Sequence, residues 1–210
     1  MSLTLFVGSK RYSSWSLRPY LALAQTGTAF ETTTILLDQD DSKANIAKVS
    51  PAGRVPVLHH DGLVIWDSLA ICEYLAELFP DTKLWPSERP ARAKARAISA
   101  EMHSGFAALR RDMPMDLGAN KPGVGHTAEA LADVRRVHAI WHDALNASGG
   151  PFLFGSFTIA DAMFAPVATR FVTYGVDLDA LCRTYVDTTF ALPWMQEWVA
   201  DAAREPQTRP

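Results

Sequence analysis

The sequence predicts an α/β domain followed by an all-helical one, in the order βαβαββα, a linker, then about five helices. Three observations carry this prediction. Short apolar or β-branched runs alternate with helical spacing only over the first 80 residues. Pro80 to Pro90 then holds three prolines and reads as a linker. Beyond it strand signals are scarce and alanine-rich helical patterns take over.

Each element has its own reason. Leu3 to Val7 is a short strand bounded by Gly8. Leu17, Tyr20, Leu21, Leu23 and Ala24 fall at helical spacing, with Pro19 in the first turn, where a missing N–H does little harm. Gly27 ends that helix. Glu31 to Leu37 is β-branched and apolar, a second strand, and the strand–helix–strand order implies a parallel pair. Asp40 to Val49 is a weak helix. Val55 to Leu58 and Leu63 to Ile65 are short strands, joined through the hairpin signal Asp61-Gly62. Asp67 to Phe79 is a helix ended by Pro80. Further helices are expected over Ala91 to Asp112, His126 to Asn146, Thr158 to Tyr174, Leu178 to Val186 and Trp194 to Ala203. The run from Thr158 is apolar nearly all round, which places it at the centre of the helical part. The expected domains are 1–80 and 88–210, with 81–87 as linker.

Composition excludes several classes. Of the 210 residues 48% are hydrophobic and 20% charged, a globular balance, and the formal net charge of -3 leaves no basic surplus for nucleic acid. Cys72 and Cys182 are the only cysteines, too few for a disulfide scaffold and wrongly spaced for zinc. Leu3 to Val7 is too short for a secretory signal, and no apolar run approaches the ~20 residues that span a membrane. The expectation is a soluble, cytoplasmic protein without metal, nucleic-acid or membrane partners.

Three motifs carry chemistry. In Ser50-Pro-Ala-Gly-Arg-Val-Pro-Val-Leu58, a cis Val55–Pro56 bond would turn the Val55 backbone outward to meet an extended peptide. Taken alone the motif reads as an ordinary trans loop, since only about 5–6% of X–Pro bonds are cis. In Trp66-Asp-Ser-Leu-Ala-Ile71, Asp67 and Ser68 open a helix. That helix end suits a carboxylate, and Asp67 suits an ammonium group, although plain N-capping explains the pair equally. In Tyr12-Ser-Ser-Trp-Ser-Leu-Arg18, a serine hydroxyl can donate to a thiolate and so favour ionised sulfur; capping is again the ordinary alternative.

In this order and on this framework, the three motifs resemble the cytosolic glutathione transferase superfamily. The serine motif is closest to the zeta class. Phe157-Thr-Ile-Ala-Asp161 is similar to the capping motif of the buried helix in the family's second domain. The resemblance implies a thioredoxin-like first domain and glutathione as co-substrate. It gives Val55 the cysteinyl unit, Asp67 and Ser68 the glutamyl end, and Arg54 a place near the glycyl carboxylate. Pro56 and Trp15 complete the glutathione site. Ser13 by a zeta-like alignment, or Ser14 by a delta-like one, would donate to the sulfur, while Arg18 reads as structural. The second-substrate pocket would draw on Trp15, Phe106, Arg110, Arg111, Met113, Met115, Arg170 and Thr173. The expected activity is transfer of the glutathione thiol to a small electrophile. Maleylacetoacetate-like isomerisation and peroxide reduction are alternatives, and a non-catalytic glutathione-binding module is the rival of another class. A homodimer is implied.

There are departures from the family. Trp15 replaces a cysteine, which puts thiol exchange in doubt. Thr173 stands where the zeta class has an arginine for a substrate carboxylate, with Arg170 about one turn earlier. His138 and His142 are spaced i, i+4 but lack the glutamate of a metalloprotease motif, Ala139 standing in its place. His59-His60 reads as solvated, and Cys72 and Cys182 as core.

Overall fold

A computed structural model describes residues 2–208. Strand β1 (Leu3–Gly8) is interior to a four-stranded sheet of order β2-β1-β3-β4. Its alternation places Leu3, Leu5 and Val7 in the core. Helix α1 (Ser14–Gln25) carries the chain over to β2 (Glu31–Ile35), which pairs parallel to β1 from Thr4 opposite Glu31 to Gly8 opposite Ile35. After α2 (Ser42–Val49) the chain returns along the other side of β1 as β3 (Val57–His60), antiparallel, and turns into β4 (Leu63–Ile65). Asp61 and Gly62 both have positive φ, 46° and 88°, as a two-residue turn of this hand requires. Strand β3 begins two residues later than expected, since the chain enters it through a cis Val55–Pro56 bond and Pro56 has no N–H for the ladder.

Helix α3 (Ser68–Leu78) closes this α/β part, and one 3₁₀ turn over Pro80–Thr82 leads away from it. Six helices follow among the described residues: α4 (Arg89–Ser104), α5 (Ala107–Asp112), α6 (Ala128–Ser148), α7 (Ile159–Thr173), α8 (Ala180–Ala191) and α9 (Pro193–Arg204). The single helix expected over Ala91 to Asp112 is two. A Cβ on Gly105 would lie 2.9 Å from the Glu101 carbonyl oxygen, and Phe106 takes a left-handed φ of 60°. Helix α7 is buried on almost every side, as its composition predicts, and packs against both α1 and α4. Helix α9 folds back onto the start of the chain. Trp198 Nε1 donates to the Lys10 carbonyl at 2.9 Å, Lys10 pairs with Asp201, and the Trp198 and Tyr20 rings lie 4.8 Å apart. No helix among the described residues is long and apolar enough to cross a membrane.

Cys72 and Cys182 are both buried. The histidine pair of the β3–β4 hairpin is not simply solvated. His60 is buried with Nδ1 2.6 Å from the Tyr74 hydroxyl, and half-buried His59 holds the Val49 carbonyl at 2.8 Å.

Candidate functional site

Two adjoining cavities lie where the sheet's connecting loops meet α4, α5 and α7. One, of about 380 Å³, has walls that include Ser13, Ser14, Arg110, Met115 and Arg170. The other, of about 220 Å³, is lined by Pro56, Trp66, Asp67, Ser68 and His103. Trp15, Arg54 and Val55 line both and join them.

The serines sit at the start of α1. Ser13 is its N-cap, and its hydroxyl donates to Ser16 Oγ at 2.8 Å; Ser16 in turn accepts from the Gly8 N–H at 3.0 Å. Ser14, the first residue of the helix, lines the larger cavity, and its hydroxyl has no hydrogen-bond partner among the described residues. Trp15 follows, partly exposed. Its ring has the Arg18 guanidinium 4.3 Å and the Arg110 guanidinium 4.7 Å from its centroid.

Val55 lies outside the ladder, so its backbone N–H and C=O have no partner among the described residues. Arg54 is exposed at the rim, and its side chain forms no ion pair within the described residues. Asp67 does serve as N-cap of α3, its Oδ1 accepting from Leu69 N at 3.0 Å and Ala70 N at 3.4 Å. Capping does not use up the pair. The Ser68 hydroxyl is buried without a partner at the same helix end, and Asp67 Oδ2 lies 3.0 Å from His103 Nε2.

Sequence reasoning missed His103. It stands in the last turn of α4 and edges the Trp15 ring at 5.2 Å as well as meeting Asp67. Its position three residues before Phe106 on a helix assigned to the pocket was the only signal.

The far wall holds cations without carboxylates. Arg110 donates through Nε to the Gly105 carbonyl at 3.1 Å and through Nη2 to that of Met102, satisfying the end of α4. Arg170 donates to the carbonyls of Met113 at 2.9 Å and Pro166 at 3.0 Å. Burial pushes the Arg170 guanidinium down to about 9, with the Arg110 charge adding to the effect. Arg110 is lowered by burial as well.

Other expected pocket residues lie elsewhere. Phe106 is buried at the α4–α5 junction, Met113 is fully buried beyond α5, and Thr173 donates to the Asp116 carbonyl at 3.3 Å; none of the three lines either cavity. Arg111 points away, paired with Asp112 at 2.7 Å and Glu129 at 2.8 Å. The His138–His142 spacing leads to a different grouping. His142 Nε2 meets Asp179 Oδ2 at 2.5 Å, and with Cys182 Sγ three possible metal-donor atoms lie within 4.8 Å of one another. Asp179 also caps α8 by accepting from Cys182 N at 2.9 Å, so capping and one side-chain hydrogen bond account for this cluster.

Known proteins share this architecture. Residues 12–78 match the family model for the glutathione S-transferase N-terminal domain, and residues 93–201 match that for the C-terminal domain. A probable maleylacetoacetate isomerase of Caenorhabditis elegans is 33% identical over 168 residues, covering 79% of this chain and 78% of its own length. The maleylacetoacetate isomerase of Rattus norvegicus is 29% identical, with 79% and 77% covered. Among solved structures, a glutathione transferase homolog from Burkholderia with bound glutathione superposes with a TM-score of 0.76 at 27% identity, over 98% of this chain and 100% of that one. Two family models in the right order, together covering most of the sequence, agree with the four-stranded sheet and the helical second half: the chain belongs to the glutathione S-transferase family.

Proposed function

We propose that the paired cavities bind glutathione and activate its thiol for attack on a small electrophile. The observation that carries this is the set of unpartnered polar groups lining the two joined cavities. The Ser68 hydroxyl, the Val55 backbone and the Ser14 hydroxyl have no partners within the described chain, and each matches a different part of an extended tripeptide. The glutamyl carboxylate would meet Ser68 and the α3 N-terminus, where free N–H groups and the helix dipole favour an anion. The glutamyl ammonium would face Asp67. Val55 would pair with the cysteinyl unit, and Arg54 at the rim would take the glycyl carboxylate. Ser14 rather than Ser13 would donate to the sulfur, since the Ser13 hydroxyl is already bonded to Ser16.

A hydrogen bond to the charged form of an acid lowers its pKa. Ser14 would therefore favour thiolate over thiol, and the thiolate is the nucleophile. The larger cavity would place the acceptor beside it and remove the need for a chance encounter. The test is the ultraviolet thiolate absorbance of bound glutathione, titrated against pH. A thiol ionising well below the reference value of about 8.5 supports activation. Binding with an unshifted thiol supports the non-catalytic module instead, and no binding removes the reading altogether.

A second reading is glutathione-dependent isomerisation of an acidic substrate. The relatives named maleylacetoacetate isomerase favour it, as do Arg110 and Arg170 in a cavity wall without carboxylates. Thr173 would not take the substrate carboxylate, being buried and bonded to Asp116; the two arginines would. The thiolate would add to a double bond, the adduct would rotate, and elimination would return the thiolate, with no net redox change.

A homodimer accompanies the proposal. Val64 and Trp66, two residues apart at the end of β4 and so on one face, form a short exposed apolar strip, and Trp66 lines the smaller cavity. Sedimentation analysis would give twice the chain mass if that strip is covered by a second copy.

A further inference from the structure

Arg18 is the most anomalous side chain in the protein. It is fully buried, yet Nε, Nη1 and Nη2 all lack hydrogen-bond partners among the described residues. A buried arginine ordinarily bonds to carbonyls, as Arg110 and Arg170 do here. A guanidinium out of water with nothing to bond to is among the costliest arrangements in a protein interior.

Its surroundings deepen the anomaly. Arg110 from α5 and Arg170 from α7 face it with like charge. From α3 the nearby groups are Asp67 and Cys72. Asp67 is engaged with the α3 N–H groups and His103, and burial pushes the Cys72 thiol up to about 12, so it stays neutral. Burial and the two neighbouring arginines lower the Arg18 pKa well below its ordinary value. The Trp15 ring, against which it stacks, offers a π face but no countercharge.

The position of Arg18 says where the missing anion belongs. Ser14 and Arg18 are spaced i, i+4 on α1 and so share a face, and helical side chains lean toward the N-terminus. Arg18 lines neither cavity itself; it lies one turn behind Ser14 with its guanidinium against the Trp15 ring, and Trp15 lines both cavities. We infer that Arg18 is a positioning residue whose uncompensated charge holds the sulfur of bound glutathione as thiolate, acting across Trp15 and Ser14 without touching it. The inference rests on the reading above that places the sulfur beside Ser14. Trp15 has a second role in it. By covering the guanidinium it keeps water out, and a charge acting through a poorly polarisable medium is felt more strongly than one acting through solvent.

The test compares Arg18→Met and Arg18→Lys with the unaltered protein by thiolate absorbance against pH, and measures affinity for S-methylglutathione, which has no thiol proton. Arg18→Met is expected to raise the pH of thiol ionisation by about one unit. Arg18→Lys should restore most of the difference, and affinity for S-methylglutathione should hold within about twofold. Should Arg18→Met fail to fold, as judged by near-ultraviolet circular dichroism, Arg18→Gln is read in its place. If the unaltered protein ionises glutathione early and the neutral variants do so equally early, the role assigned to Arg18 is wrong while the glutathione site stands. If the unaltered protein itself leaves the thiol unshifted, the glutathione reading falls first. If thiol ionisation is unchanged and only an acidic electrophile binds less well, the missing counterion is the second substrate and the inference is overturned.

Discussion

Ser68 separates binding from folding better than any other residue of the site. Its hydroxyl bonds nothing among the described residues, so Ser68→Ala should leave the thermal midpoint within a degree or so while weakening glutathione binding about fivefold, the worth of one ordinary hydrogen bond. Calorimetric titration beside a melting curve would show it; a large drop in the melting temperature with unchanged affinity would make Ser68 structural. Gly125 is the opposite kind of residue. Its φ is 71°, and a Cβ there would lie 2.0 Å from the Asp112 carbonyl oxygen. Gly125→Ala should cost about 3 kcal/mol in chemical denaturation through combined strain and overpacking. At this scale the sequence was legible where one chemistry serves two ends. Asp67 and Ser68 stand out because capping and anion recognition both use a helix N-terminus. His103 did not stand out, since its meaning comes from Asp67, a partner 36 positions away that no local pattern can reveal.

Helices were legible through their caps more than through their lengths. Thr158 and Asp161 form the expected box at the start of α7: the Thr158 N–H and hydroxyl both donate to Asp161 Oδ2, at 2.8 and 3.0 Å. The same carboxylate receives Leu153 N at 3.0 Å, so it also fixes the preceding loop. Thr158→Ala should cost about 1 kcal/mol by urea unfolding, and Asp161→Ala more, since it would orphan three donors in the core. Helix α8 offers a test by acid. Asp179 is held down to about 2, first by the Cys182 N–H and then by His142. A carboxyl depressed below its unfolded value stabilises the fold above that value, and the contribution disappears as pH falls through the depressed one. Amide protection in the first turn of α8, taken relative to the intrinsic exchange rate at each pH, should therefore fall between about pH 4 and pH 2, less so in Asp179→Asn, which keeps an uncharged acceptor. The break between α4 and α5 was not legible. A glycine inside a helical pattern costs only ~1 kcal/mol, too little to separate a kink from a tolerated interruption.

For the whole molecule, composition and periodicity were enough to separate an α/β half from a helical half, because a change of hydrophobic period survives at any register. The cleft residues proposed to hold glutathione could be singled out for a related reason: they lie within three short contiguous motifs of the first 70 positions. Those of the acceptor side could not. Arg110, Met115 and Arg170 reach one wall from separate segments, while Phe106, Met113 and Thr173, equally plausible by proximity in sequence, turn into the core. A wall assembled from distant segments is decided by packing, and one sequence does not print its packing.

The return of α9 to the first loop carries a consequence for the order in which this protein becomes complete. Lys10 leaves the ribosome 188 residues before the Trp198 indole and 191 before the Asp201 carboxylate that meet it, and Tyr20 likewise long precedes the Trp198 ring. Until then the nascent first domain carries Lys10 without its carboxylate, and Tyr20 beside the Phe30 ring but without the Trp198 ring, next to the loop that leads into the serines. A chain released before residue 198 would keep every side chain of the proposed glutathione cleft and still lack the clasp that α9 lays over that loop.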